Sequence, residues 1–129
     1  MGHITAIEHI AIFSSDSKGL ANWYCDTLGF QLALASEENR TYFVKLPGGG
    51  MFEILPANAK TRPDSVMDDA GLRHIALAVE DFDATYNDLK AKGITFAGPV
   101  RESFGGSKLV FFTDPDGNLL HLVYRTKPL

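Results

Sequence analysis

Apolar residues alternate with polar or small ones in several short segments of the first half of the chain, a pattern typical of half-buried strands. Between the first two of these segments, Leu20, Tyr24 and Leu28 recur at helical spacing, and Gly29 is placed to end that helix. The pattern predicts strands at 4–13, 30–35, 41–46 and 51–55. The first half therefore has the predicted order β-α-β-β-β.

The second half repeats this order after a polar segment. Phe82, Tyr86 and Leu89 form one helical face, and Gly93 is expected to end the helix. The pattern predicts strands at 72–79, within 94–102, at 108–113 and at 118–124. We therefore expect one domain, 1–129, with a first module at about 4–56, a linker at about 57–70 and a second module at about 71–125. The predicted fold class is α+β, with two tandem βαβββ modules whose antiparallel or mixed sheets curve around a shared pocket.

The two halves align with one another, which indicates an internal duplication. Residues 9–12, His-Ile-Ala-Ile, match residues 74–77, His-Ile-Ala-Leu. The alignment places His9 on His74 and Glu53 on His121, so each half gives one polar residue from its first strand and one from its last. The other central positions of these strands are apolar or small, apart from Glu8 and Arg73.

The four repeated polar residues are candidate metal ligands. They share strand parity with the positions expected on the concave side of each sheet: His9, Glu53, His74 and His121. Neutral imidazole nitrogen and carboxylate oxygen suit a divalent ion such as Zn, Ni, Fe, Co or Mn. The alternative is a set of hydrogen-bonded core residues, with Glu53 and a histidine forming a buried ion pair.

The choice between metal ligands and hydrogen-bonded core residues matters most for His121, because its strand is apolar on both faces. The strand follows the tight turn Asp114–Gly117, in which Pro115 and Gly117 supply the turn geometry. We expect burial on both sides, where an imidazole without a partner costs about 1–3 kcal/mol.

Charge and composition exclude several classes of partner. The formal net charge of −4 leaves no basic footprint for nucleic acid or for an anionic membrane. No apolar run is long enough to span a bilayer, and no leader for secretion is recognised. The one cysteine, Cys25, cannot form an internal disulfide and is read as a structural thiol, so a cytoplasmic location is expected.

Two motifs resemble the vicinal oxygen chelate superfamily, which includes glyoxalase I, extradiol dioxygenases and bleomycin-resistance proteins. They are Trp23–Phe30, read as Trp-Tyr-Cys-Asp-Thr-Leu-Gly-Phe, and Asp114–Leu119, read as Asp-Pro-Asp-Gly-Asn-Leu. The resemblance implies ligands on the first and last strands of each module, where His, Glu, His and Glu are usual in glyoxalase I-like proteins. His121 departs from that pattern by replacing the last glutamate. The resemblance also implies a homodimer.

The leading functional hypothesis is a metal-dependent lyase or isomerase of the glyoxalase I-like type, whose small substrate binds the metal through two oxygens. Glu53 is the candidate general base, with His121 as the alternative. Arg101 and Tyr42 are candidate substrate-binding residues; Tyr42 shares strand parity with Val44 near Glu53. The sequence leaves open whether the site forms within one chain or across a dimer.

Two other functions remain open from the sequence alone. One is a metal-free small-molecule-binding or antibiotic-resistance protein, for which the aromatic residues would line the pocket. The other is an Fe(II) dioxygenase, although three histidines and one carboxylate depart from the two-histidine, one-carboxylate triad.

Overall fold

A computed structural model describes residues 2–129, which divide into two compact units at the bond between Arg62 and Pro63. This boundary lies within the predicted linker. In unit 1 the elements are β1 His9–Ser14, α1 Ser17–Leu28, β2 Gln31–Ser36, β3 Thr41–Lys45 and β4 Met51–Pro56. In unit 2 they are β5 Ile75–Ala78, α2 Phe82–Ala91, β6 Ala97–Ser103, β7 Ser107–Thr113 and β8 Leu119–Tyr124.

Unit 1 is a four-stranded mixed sheet in the order β1-β4-β3-β2, with α1 on one face. β1 runs parallel to β4, and the other neighbouring strands are antiparallel. Asp16 caps α1 by accepting a hydrogen bond from the Gly19 amide at 2.9 Å, and Gly29 ends the helix at φ 78°. These caps fix where the helix starts and stops above the sheet.

Aromatic side chains join α1 to its sheet. The ring of Tyr24 lies 5.3 Å from Phe30 and 5.1 Å from Phe52, both in edge-to-face geometry. Val44 and Ile54, on β3 and β4, are fully buried. The helix-facing side of β3 and β4 is therefore a buried apolar core.

Unit 2 repeats this arrangement, with the sheet order β5-β8-β7-β6 and α2 as its helix. Asp81 caps α2 by accepting from the Ala84 amide at 3.0 Å. An aromatic series of Tyr86, Phe96 and Phe112 connects the helix to β7, with ring centroids 4.5 and 5.7 Å apart. Leu120 and Leu122, on β8, complete this core.

The turn between β7 and β8 is organised by a buried carboxylate. Asp114 accepts hydrogen bonds from the backbone amides of Asp116 and Asn118 at 3.0 and 2.9 Å, and from the Asn118 side chain at 2.8 Å. Gly117 takes φ 88°, as the turn prediction requires. Burial of β8 on both faces, also predicted, is confirmed from Leu120 to Val123.

The α+β class and the two repeated modules are confirmed, but two predicted strand starts are wrong. β1 begins at His9, not Ile4, and β5 begins at Ile75, so His74 lies just before its strand. The reason is the position at which the neighbouring strand begins. Within the described residues β1 pairs with β4 alone and β5 with β8 alone, and both partners begin only after a turn, at Met51 and Leu119.

In the described part of the chain, no helix is long and apolar enough to cross a membrane.

Candidate functional site

His9 and Glu53 lie on the face of the unit 1 sheet that points away from α1. Phe52 contacts Tyr24 of α1, so strand alternation sends the next residue, Glu53, to the opposite side. Glu53 is paired with Ala11 of β1, and His9 precedes that alanine on the same face. The His9 Nε2 atom is 3.5 Å from Glu53 Oε1. The structure therefore brings together the two predicted ligands of unit 1.

A second carboxylate contacts the other nitrogen of His9. The Nδ1 atom lies within hydrogen-bond distance of Glu8 Oε1, at 3.0 Å. The His9 and Glu53 side chains are 37% and 23% exposed, so this pair is open to solvent on one side. His9 thus stands between two carboxylates.

His74 and His121 are the corresponding residues of unit 2. Their ring centroids are 4.5 Å apart and their planes are nearly perpendicular, at 81°. Phe111 stacks on His121 with a centroid distance of 4.9 Å and meets His74 edge-on at 5.2 Å. Since Leu120 and Leu122 are buried in the α2 core, His121 points to the other face of the sheet. The predicted ligands of unit 2 are therefore also neighbours.

His121 is held in its neutral form. It is only 7% exposed, and its Nδ1 atom is buried with no hydrogen-bond partner among the described residues. Burial first, and then the charges of His74, Arg125 and Arg101, lower the pKa of His121 to about 4. The imidazole therefore keeps a free electron pair at neutral pH.

This shift predicts that the metal-free chain loses stability in mild acid. The unfolded chain binds a proton at the ordinary pKa of 6.5 and the folded chain only near 4, so the loss develops as the pH falls between these values. After a discount for solvent screening, we expect about 2 kcal/mol. Urea unfolding at several pH values would measure it, with His121→Leu as the control. Equal pH dependence in both chains would contradict the prediction.

Four residues around these pairs were not identified from the sequence. On one neighbouring strand, Phe43 is paired with Glu53 and Phe111 with His121. On the other neighbouring strand, Ala11 is paired with Glu53 and Ala76 with His121. The sequence carries a signal for them, because each phenylalanine stands ten positions before its polar partner and each alanine two positions after its histidine. The small alanines leave room beside the polar side chains, and the phenylalanines hold the histidine rings.

The structure brings Arg101 to the unit 2 pair but does not bring Tyr42 to Glu53. The Arg101 guanidinium carbon is 5.3 Å from the Phe111 ring centroid, on the same face as His121. Tyr42 is paired with Ile54 on the α1 side and donates a hydrogen bond to Glu37 at 2.8 Å. That hydrogen bond raises the pKa of Tyr42 and lowers the pKa of Glu37.

Neither of two cavities within the units is lined by a predicted ligand. One, of 490 Å³, lies beside α2 and includes Phe82 and Tyr86; the other, of 250 Å³, lies at the start of α1 and includes Tyr42. Among residues 2–129, no group of three or more His, Cys, Asp or Glu side chains converges in a geometry that could hold a metal ion. The four predicted ligands therefore lie in two pairs, one in each unit.

Comparisons with known proteins agree with this repeated arrangement. A profile of the Glyoxalase/Bleomycin resistance protein/Dioxygenase superfamily matches residues 6–122. The chain is 34% identical to the uncharacterized protein YwkD of Bacillus subtilis, over 88% of this chain and 91% of that protein. It is 30% identical to a probable lactoylglutathione lyase of Vibrio parahaemolyticus, over 91% and 88%.

The fold also matches solved structures. A glyoxalase family protein from Enterococcus faecalis superposes with a TM-score of 0.75 and 31% identity, covering 92% of this chain and 96% of that one. The family profile runs from just before β1 into β8 and includes the positions of all four predicted ligands. The chain is therefore a member of the glyoxalase/bleomycin resistance protein/dioxygenase superfamily.

Proposed function

We propose that this protein is a divalent-metal-dependent lyase or isomerase of the glyoxalase I-like type. One observation carries the proposal: His9 with Glu53, and His74 with His121, are neighbouring polar side chains at duplicated positions. The similarity to a probable lactoylglutathione lyase supports the same class of reaction. The substrate would be a small molecule with two neighbouring oxygens, such as an α-hydroxycarbonyl or a 1,3-dicarbonyl.

The donor atoms fit a divalent ion. Imidazole nitrogen and carboxylate oxygen are ligands for Zn, Ni, Fe, Co and Mn. In unit 1 the His9 Nδ1 atom is 3.0 Å from Glu8 Oε1, and the Nε2 atom faces the Glu53 carboxylate at 3.5 Å, so a nitrogen donor and an oxygen donor lie side by side. In unit 2 the neutral His121 adds a nitrogen without a partner.

The proposed ligands are His9, Glu53, His74 and His121, and a bound divalent ion would supply electrophilic stabilisation of a substrate oxygen that gains negative charge. Glu53 is the only carboxylate among the four, so it is our candidate to remove the proton beside the carbonyl at one of its Oε atoms. His121 is the alternative base, since it is neutral at physiological pH.

Arg101 is our candidate for substrate binding. Its guanidinium rests on Phe111, which in turn stacks on His121, so a substrate near His121 would come within reach of a positive charge. Arginine binds carboxylate or phosphate through two parallel hydrogen bonds. A substrate with an anionic group is therefore expected to bind better than its neutral analogue.

Members of this superfamily commonly bind divalent metals and often form dimers, and we propose a homodimer here. Sedimentation with and without added metal would determine the oligomeric state.

The test is proton exchange from carbon in heavy water. Protein loaded with Ni, Zn, Co or Mn is incubated with a set of α-hydroxycarbonyl and 1,3-dicarbonyl compounds, and deuterium incorporation is followed by NMR. We expect exchange with the native chain and a loss of about 10²–10⁴-fold with Glu53→Gln. Metal content is measured in both, because Glu53 is also a proposed ligand. Unchanged exchange by a metal-loaded Glu53→Gln chain would exclude Glu53 as the base.

A metal-free small-molecule-binding protein is the second candidate. Exposed apolar side chains favour it, because Phe13 and Leu34 lie on the same sheet face as Glu53 and are more than half exposed. Ligand binding without metal uptake and without exchange would support this function instead.

A further inference from the structure

We propose that Glu8 is a positioning residue that fixes the His9 ring in the Nδ1–H form, so that Nε2 presents its electron pair toward Glu53. This inference rests on the proposed function, in which His9 is a metal ligand. A metal can bind only the nitrogen that carries no proton. The hydrogen bond made by one ring nitrogen decides which form is present.

The geometry around His9 favours this form. The Glu8 Oε1 atom is 3.0 Å from Nδ1 with hydrogen-bond geometry, whereas Glu53 Oε1 lies farther from the ring, at 3.5 Å from Nε2. An ionised carboxylate only accepts hydrogen bonds, so a neutral ring must place its proton on Nδ1 to satisfy Glu8. Free imidazole side chains favour the opposite form, with the proton on Nε2, which Glu53 would otherwise stabilise.

The backbone of Glu8 is anchored even though the residue precedes β1. Its carbonyl accepts a hydrogen bond from the Met51 amide at 3.0 Å, which ties it to the start of β4. The side chain is 76% exposed, so the ion pair adds little to stability. Removing the carboxylate should therefore change the histidine without unfolding the unit.

In the duplicated half, no carboxylate stands at the position that corresponds to Glu8. Arg73 takes the position of Glu8 in the alignment, and a guanidinium cannot accept a hydrogen bond from His74. His74 instead meets the rings of Phe111 and His121. Unit 1 therefore places its histidine between two carboxylates, whereas unit 2 places His74 against two rings.

The experiment is long-range ¹H–¹⁵N NMR of the histidine side chains in the full-length, metal-free protein at pH about 8. We expect His9 in the Nδ1–H form in the native chain, a shift to the Nε2–H form in Glu8→Ala, and rescue in Glu8→Gln, whose amide oxygen still accepts. Arg73→Ala is the matched control and should leave His9 unchanged. An unchanged His9 form in Glu8→Ala would overturn the proposal.

Zinc affinity, measured by competition with a chelating dye, separates this inference from the proposed function. We expect Glu8→Ala to bind zinc about tenfold more weakly than the native chain, and Arg73→Ala to bind as the native chain does. If the native chain binds no zinc, nickel, cobalt or manganese, the proposed function fails, while the NMR result still decides the role of Glu8. Equal zinc affinity in the native and Glu8→Ala chains would overturn the contribution of Glu8 to metal binding.

Discussion

Replacing His74 with alanine is expected to lower the metal bound per chain from about one ion to less than about a tenth, in protein purified without a histidine tag. His74 touches both Phe111 and His121, and no other histidine of unit 2 can replace it. Loss of one nitrogen ligand should weaken metal binding by at least about a hundredfold, or about 3 kcal/mol. Elemental analysis and chelator competition would measure the two effects.

His3 provides the matched control for this experiment. It is the one histidine outside the two pairs, and it is exposed near the start of the described chain. His3→Ala should retain the native metal content, which would exclude adventitious binding by a surface imidazole. A His74→Ala chain that kept the native content would remove His74 from the ligand set. A native chain that neither contains nor takes up metal would favour the binding-protein function.

Replacing Tyr24 with alanine should destabilise unit 1 by about 3–5 kcal/mol, the largest stability change expected from a single substitution here. Tyr24 is completely buried, and its ring meets Trp23, Phe30 and Phe52 in edge-to-face contacts. Alanine would remove all three contacts and leave a cavity between α1 and the sheet. Urea unfolding followed by tryptophan fluorescence would report the change directly, because Trp23 is the only tryptophan.

Tyr24→Phe separates the ring from the hydroxyl. The phenylalanine ring preserves the three aromatic contacts, so this variant should lose much less stability than Tyr24→Ala. If both variants unfolded at the same urea concentration, the hydroxyl, not the ring packing, would be the main contribution. If Tyr24→Ala were as stable as the native chain, the aromatic core would be of little importance to unit 1.

The sequence predicted the element order and the pairing of polar residues because both depend on periodicity within short segments. Strand alternation alone placed His9 and Glu53 on matching faces, and the distance of 3.5 Å between His9 Nε2 and Glu53 Oε1 agrees with that placement. The internal repeat gives His74 and His121 the equivalent positions in the second half, so the same assignment of faces applies to them. The repeat therefore predicts that these two residues are structurally equivalent to the first pair.

The strand starts and the neighbours of the pairs could not be predicted in the same way. The start of β1 at His9 depends on where its partner β4 begins, which is a property of two distant segments. The antiparallel register pairs Phe43 with Glu53 and Phe111 with His121. The same register pairs Tyr42 with Ile54, away from the site. Register is set by the whole sheet and by bulges such as the one between Leu32 and Leu34, so single-segment patterns do not reveal it.

The parallel pairing of β1 with β4 has a consequence for synthesis on the ribosome. The first strand of each unit finds its hydrogen-bonding partner only in the last strand, so β1 must wait until Met51 and the residues after it have emerged. The contact between His9 and Glu53 then forms as the final strand docks, and the same order applies to β5 and β8 in unit 2. A nascent chain that stops before β4 would expose its apolar helix face and carry no assembled pair.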